Sequence, residues 1–163
     1  MRASSLCRIL FAFLVFSTIS CQAAHSTTLV EATVSRVIDG DTVELSDGRH
    51  VRYIGVDTPE VRRKIGDQWV KDPEPYGEAA TQRNRELVEG KRVKLEFDVQ
   101  TLDRHGRLLA YVYVGETMVN AELVREGFAQ PLTIPPDVAH ADLFRKLAQE
   151  ARQYGRGLWK DKR

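Results

Sequence analysis

Two Asp-Gly pairs, Asp39-Gly40 and Asp47-Gly48, punctuate a run of short segments in which apolar and polar residues alternate. Each pair is a strong turn signal, and alternation with period two marks strands that are buried on one face. Ala32, Val34 and Ile38 share a face of the first segment, residues 42–45 form the second, and residues 51–56 the third. Three antiparallel strands joined by short turns are the simplest reading. A meander of this kind fixes the chain's first half as β-structure.

Residues 61–75, with Arg62, Arg63, Lys64, Gly66, Pro73 and Pro75, read as an exposed loop. A helix is expected from about Pro75 to Glu89, with Tyr76, Ala79, Ala80 and Leu87 on one face and Gly90 as its stop. Val93, Leu95, Phe97 and Val99 alternate as a fourth strand, and residues 107–114 make a fifth. Residues 118–126 and 137–154 read as helices; in the second, Leu143, Phe144, Leu147, Ala148 and Ala151 form one apolar stripe. Five strands with a helix between the third and fourth is the element order of an OB-fold, an α+β class built on a partly open five-stranded barrel with about three helices.

The amino terminus stands apart from this pattern. Arg2 and Arg8 precede a short apolar run at residues 9–16, which gives way to small and polar residues up to Ala24. That order is the pattern of a secretory signal, and the run is well short of the roughly 20 residues a membrane span requires. Residues 1–24 are therefore expected to be removed on export, leaving residues 25–163 as a single domain in the periplasm or outside the cell. Alternatively, Thr18-Ile19-Ser20-Cys21 resembles a lipobox, in which case Cys21 would anchor the protein to the envelope membrane. Either route loses Cys7, so no internal disulfide forms and the core alone must hold the domain.

The whole chain carries 24 basic and 23 acidic residues. Loss of Arg2 and Arg8 leaves 22 against 23, a net charge of −1. General electrostatic attraction to a polyanion is thereby excluded; any such binding needs a local positive site.

Candidate chemistry gathers at the strand ends. Asp41, Asp57 and Glu60 fall where neighbouring strands of the meander terminate. Carboxylates brought that close repel unless a cation lies between them, and all-oxygen ligands suit Ca²⁺ or Mg²⁺ and not zinc. Turn formation and strand capping would account for the same acids without a metal. Arg52 lies within a strand of Val, Tyr and Ile, alternating with Ile54 and Val56, so it needs an acid partner or a bound phosphate. Arg107, after Asp103-Arg104-His105-Gly106, is the second cation; two planar guanidinium forks can hold one phosphoryl group from different sides.

Ile38-Asp39-Gly40-Asp41-Thr42-Val43, Val56-Asp57-Thr58-Pro59-Glu60, Tyr76-Gly77-Glu78-Ala79-Ala80, Asp103-Arg104-His105-Gly106-Arg107 and Met118-Val119-Asn120-Ala121-Glu122-Leu123-Val124 resemble, in order, signatures of the staphylococcal nuclease (thermonuclease) family. The resemblance spans roughly residues 29–160. It implies an OB-fold with one Ca²⁺ site, with Asp41, Asp57 and the Thr58 carbonyl as ligands. It further implies that Glu60 orients or deprotonates the attacking water and that Arg52 and Arg107 bind phosphate. The implied reaction is hydrolysis of single- and double-stranded DNA and RNA to 3′-phosphate ends; a monomer is expected because nothing in the sequence points to an oligomer.

Two departures stand out. The best-known member has tyrosine where His105 stands, and a pair of tyrosines lining the nucleotide site where this chain reads Pro131-Leu132-Thr133-Ile134. Aromatic support for a nucleotide is thus not expected there. Arg62, Arg63, Lys64 and Trp69 could contact nucleic acid instead, although a solvated loop explains them as well. The competing function is a non-catalytic OB-fold module of the cell envelope that binds nucleic acid or protein. A second is an envelope lipoprotein in which Ca²⁺ is a structural staple. Retention of both arginines and all three acids favours the enzyme.

Overall fold

The computed structural model describes residues 29–160; the expected signal, Cys7, Cys21 and His25 lie outside them. In chain order the elements are β1 (Leu29–Val37), β2 (Thr42–Leu45), β3 (His50–Tyr53), β4 (Val56–Asp57), β5 (Arg62–Ile65), β6 (Gln68–Lys71), α1 (Gly77–Val88), β7 (Arg92–Glu96), β8 (Leu108–Val114), β9 (Thr117–Met118), α2 (Val119–Arg125), β10 (Gln130–Pro131) and α3 (Ala141–Gln153). A 3₁₀ turn, Gly157–Trp159, ends the described chain. β1 pairs antiparallel with β2 and β7, β2 with β3, and β7 with β8. The parallel pairing of β3 with β8 closes the ring, so the five expected strands form a barrel. None of the described helices is long and apolar enough to cross a membrane.

Alternation fills the barrel. Val34, Val43, Leu45, Val51, Tyr53, Val93, Leu95 and Val112 are buried inside it, joined by Leu123, Val124, Phe144 and Leu147 from the helices. The stripe on α3 is buried at Phe144, Leu147, Ala148 and Ala151, while Leu143 faces outward.

Three local departures have identifiable causes. The register of β1 shifts between Val34 and Arg36, so the inward residue at its end is Val37 and Ile38 is exposed. The buried face of α1 is Gly77, Ala80, Thr81, Asn84 and Val88 instead of the apolar set around Ala79 and Leu87. Two of those buried residues are polar, which hides the face from an apolar count. Finally, residues 61–75 are not an open loop: β5 and β6 form an antiparallel hairpin.

Asn120 links the barrel to the helical layer. It is fully buried, accepts from the Val112 N–H at 2.9 Å and donates to the Ile54 carbonyl at 2.9 Å. Ile54 belongs to the turn between β3 and β4, so this side chain sets where the site-bearing segment leaves the barrel. Asn120→Ala would strand a buried N–H and a buried carbonyl. We expect a stability loss of about 2–4 kcal/mol, read by urea unfolding. A loss under 0.5 kcal/mol would show that the two groups find other partners.

Candidate active site

The site is built where the β1–β2 turn meets the segment leaving β3. Val51 and Tyr53 point into the barrel, which places Arg52 on the opposite face, not among core residues as its alternation with Ile54 and Val56 suggested. It is nevertheless covered. Its Nη1 lies 3.0 Å from Asp41 Oδ2 and donates to the Tyr53 and Val56 carbonyls at 3.1 and 2.9 Å. Its Nη2 lies 3.0 Å from Asp57 Oδ1. One guanidinium thus binds both carboxylates and ties β3 to β4.

Asp41 is buried, 5% exposed. Its Oδ2 also accepts from the backbone N–H and hydroxyl of Thr58, at 2.9 and 3.1 Å. Gly40 permits that approach: a Cβ there would lie 2.4 Å from Thr58 Oγ1. The turn is held from below by Asn84, which donates to the Asp39 carbonyl at 3.0 Å while accepting from the Tyr53 hydroxyl at 2.9 Å. Asp39 accepts in turn from the Asp41 N–H. Burial drives the Asp41 carboxyl up, to about 7; Arg52 opposes the rise and Asp39 adds to it.

Glu60 is exposed beside this cluster. Its backbone is pinned on both sides, the N–H donating to Glu74 Oε2 at 3.2 Å and the carbonyl accepting from the Glu74 N–H at 2.8 Å. A Cβ on Gly77 would lie 2.7 Å from the Glu60 carbonyl, so only glycine lets α1 start this close. Partial desolvation raises the Glu60 carboxyl, and the charges of Asp39 and Asp57 raise it further. Arg107 precedes β8, its Nε 2.7 Å from Asp103 Oδ2 and its N–H bonded to Asp103 Oδ1. Glu60 and Arg107 line one cleft of about 750 Å³, with Asp39 and residues of α1 and the β5–β6 hairpin.

The structure therefore gathers Asp41, Asp57, Thr58 and Arg52 by direct contact and places Glu60 and Arg107 on a shared cleft beside them. Asp39, Asn84 and Gly77 support the arrangement without having been singled out as functional. Asp39 had a signal in its turn, whereas buried Asn84 had none. Among the described residues, no three His, Cys, Asp or Glu side chains converge to hold a metal alone. The convergent donors are two carboxylates with only oxygen atoms, a set that suits a hard divalent cation retaining several waters. Residues 131–134, which begin at the end of β10 in its pairing with β4, carry no aromatic ring, and Leu132 and Ile134 are exposed there. His105 is also exposed, its Nε2 3.0 Å from Arg104 Nε.

A closed five-stranded barrel with acids and arginines at its rim places the chain among small barrel proteins that carry an ionic site. Residues 50–161 match the family model described as staphylococcal nuclease homologue, and the chain belongs to that family. It is 41% identical to Endonuclease YncB of Bacillus subtilis (strain 168), over 80% of this chain and 62% of that protein. It is 39% identical to the SPbeta prophage-derived endonuclease YokF of the same organism, over 80% of this chain and 44% of that one. Thermonuclease of Staphylococcus intermedius is 38% identical, over 77% of this chain and 74% of its own. The chain thus spans about half the length of the two Bacillus relatives.

Asp41 supplies a stability test. Its folded pKa is about 7 against 3.8 for a free aspartate, so between those values the folded protein holds more protons than the unfolded chain. Stability from this group is complete below about pH 4 and declines as pH rises toward 7. In chelator, Asp41→Asn should raise stability at pH 8, on the order of 1–3 kcal/mol, and change it little at pH 4. Thermal melts at the two pH values measure this; destabilisation at pH 8 would show that the Arg52 pair outweighs the burial.

Proposed function

We propose that this protein is an exported, Ca²⁺-dependent nuclease that hydrolyses DNA and RNA to 3′-phosphate ends. The observation that carries the reading is the convergence of Asp41, Asp57 and Arg52 through one guanidinium, next to a cleft shared by Glu60 and Arg107. The endonuclease and thermonuclease names of its relatives support the same reaction class. The signal-like residues 1–24 support export, to the periplasm or the medium, with lipid anchoring through Cys21 as the alternative.

Asp41, Asp57 and the Thr58 carbonyl are the residues that would hold the cation. When bound, Ca²⁺ supplies positive charge beside the non-bridging phosphate oxygens. The remaining work falls to the protein. Arg52 and Arg107 approach the phosphoryl group from the barrel rim and from the start of β8, and both stabilise charge that grows in the transition state. Glu60, raised by partial burial and its acidic neighbours, is suited to orient a water and accept its proton. One O–P bond forms from that water and the P–O5′ bond breaks. A proton reaches the departing 5′ oxygen, leaving a 3′-phosphate and a 5′-hydroxyl.

Digestion of single-stranded DNA and RNA in Ca²⁺ or chelator, beside Glu60→Gln, tests the reading. Cleavage should require the cation and collapse in the variant. Folded protein that cleaves under no metal condition would favour a binding-only barrel. Arg107→Lys keeps the charge but loses the fork, and should lower turnover on the order of 10²–10³. Near-normal turnover in that variant would exclude the two-fork arrangement.

A further inference from the structure

The β5–β6 hairpin presents one face to the cleft that holds Glu60 and Arg107. In its register Arg62 stands opposite Lys71, directly opposed residues of an antiparallel pair share a face, and Trp69, two residues before Lys71, lies on that face too. Arg62, Trp69 and Lys71 all line the cleft, as that geometry requires. On the far side of the hairpin Arg63 pairs with Asp72. Trp69 is 67% exposed, so its ring contributes little to any core. A two-stranded ribbon has no interior in which such a ring could be buried.

The charges on this face are equally unexplained by folding. Arg62 and Lys71 are like charges placed directly across the ladder, an arrangement that weakens a hairpin. Lys71 is compensated by Glu78 at 2.6 Å, while Arg62 has no ion-pair partner among the described residues. Arg36 and Arg85 continue the positive lining on the barrel and α1 sides. A flat π surface flanked by cations spaced along a groove matches an unpaired base followed by backbone phosphates. The cleft volume, about 750 Å³, lies within the range of pockets that enclose a ligand.

We infer that Trp69 is a base-stacking platform, and Arg62 a phosphate contact, in a subsite for single-stranded nucleic acid running from the reacting phosphate along the β5–β6 hairpin. This rests on the proposed nucleic-acid substrate and names where the strand goes beyond the scissile bond. A stacked base must be unpaired, so the subsite favours single strands over duplexes. It reads no base edge, so it is tolerant of sequence. It also supplies, from a different wall of the site, the aromatic support that residues 131–134 lack.

The test uses the full chain bearing Glu60→Gln, in Ca²⁺, titrated with an eight-nucleotide oligothymidylate while tryptophan fluorescence is followed. Cleavage of the same oligonucleotide by the wild-type chain is measured in parallel. Binding should quench the emission. Adding Trp69→Ala should abolish the quench and weaken affinity about 5–100-fold, whereas Trp69→Phe should recover most of the affinity. Affinity within twofold of the parent in the Trp69→Ala protein overturns the subsite, and if the wild type still cleaves, the nuclease reading survives alone. Trp69-dependent quenching without cleavage by the wild type supports the subsite and overturns the nuclease. Loss of affinity in Trp69→Ala that Trp69→Phe does not recover overturns the stacking role.

Discussion

Asp41 sits at the rim of an apolar barrel with almost no exposure to water, and an ionised carboxylate there persists only if charge and hydrogen bonds replace its hydration. Arg52 and Thr58 supply part of that replacement, burial still driving the carboxyl up, and supplying it determines the surrounding geometry. The Arg52 fork must reach Asp41 from β3, so β3 ends at Tyr53 and the chain folds back through β4 to bring Asp57 onto the same guanidinium. Thr58 must bring its N–H to Asp41, so Gly40 has no side chain and Pro59 and Glu60 follow in a fixed direction. Satisfying one buried acid therefore positions Arg52 and Asp57 and sets the direction in which the chain leaves toward Glu60, whose backbone Glu74 then pins.

Arg107 is placed by a separate device. Asp103 accepts from its backbone N–H and its Nε, so a short acidic turn orients the guanidinium before β8 begins. Burial would raise the Asp103 carboxyl, but these hydrogen bonds, with that of the His105 N–H, hold it below its ordinary value. The two arginines are thus held by different acids on different elements. Each can be disturbed without collapsing the other, which makes their contributions separable in double-mutant cycles.

The barrel was legible in the sequence because its strands are buried on one face and its hairpin turns carry Asp-Gly. The same reasoning erred where that coupling breaks. The register shift in β1 reverses the phase of the last residues, exchanging Ile38 for Val37, and no composition rule signals a bulge there. On α1 the buried face includes Thr81 and Asn84, whose function is to hold the Asp39 turn, and a polar residue with that task looks like a solvent-facing one. The β5–β6 hairpin escaped notice because it buries nothing and so leaves no alternation to detect. Of the site, Arg52 was visible as a charge inside an apolar strand, and Asp41, Asp57 and Glu60 as acids at neighbouring strand ends, where turn formation would explain them equally well. The separate roles expected of Glu60 and Arg107, both on exposed or half-buried turns, rested on the motifs around them.

That division has a physical consequence for how the cleft would work. A chain with 24 basic and 23 acidic residues draws a polyanion weakly at long range, so affinity would have to come from short-range contacts inside one Debye length of the cleft. Contacts of that kind act only on a strand already seated, and they are distributed along the groove and not over the whole surface. On the proposed reading, Glu60 and Asp39 would repel the same phosphates that Arg36, Arg62 and Arg107 would attract, so a bound strand would lie with its phosphates toward the arginines and away from the acids. Mixed charge in a single cleft therefore selects an orientation, which a uniformly basic groove would not do. On the proposed mechanism that orientation is what in-line attack would require, since a water placed by Glu60 would be useful only if the P–O5′ bond lay opposite to it.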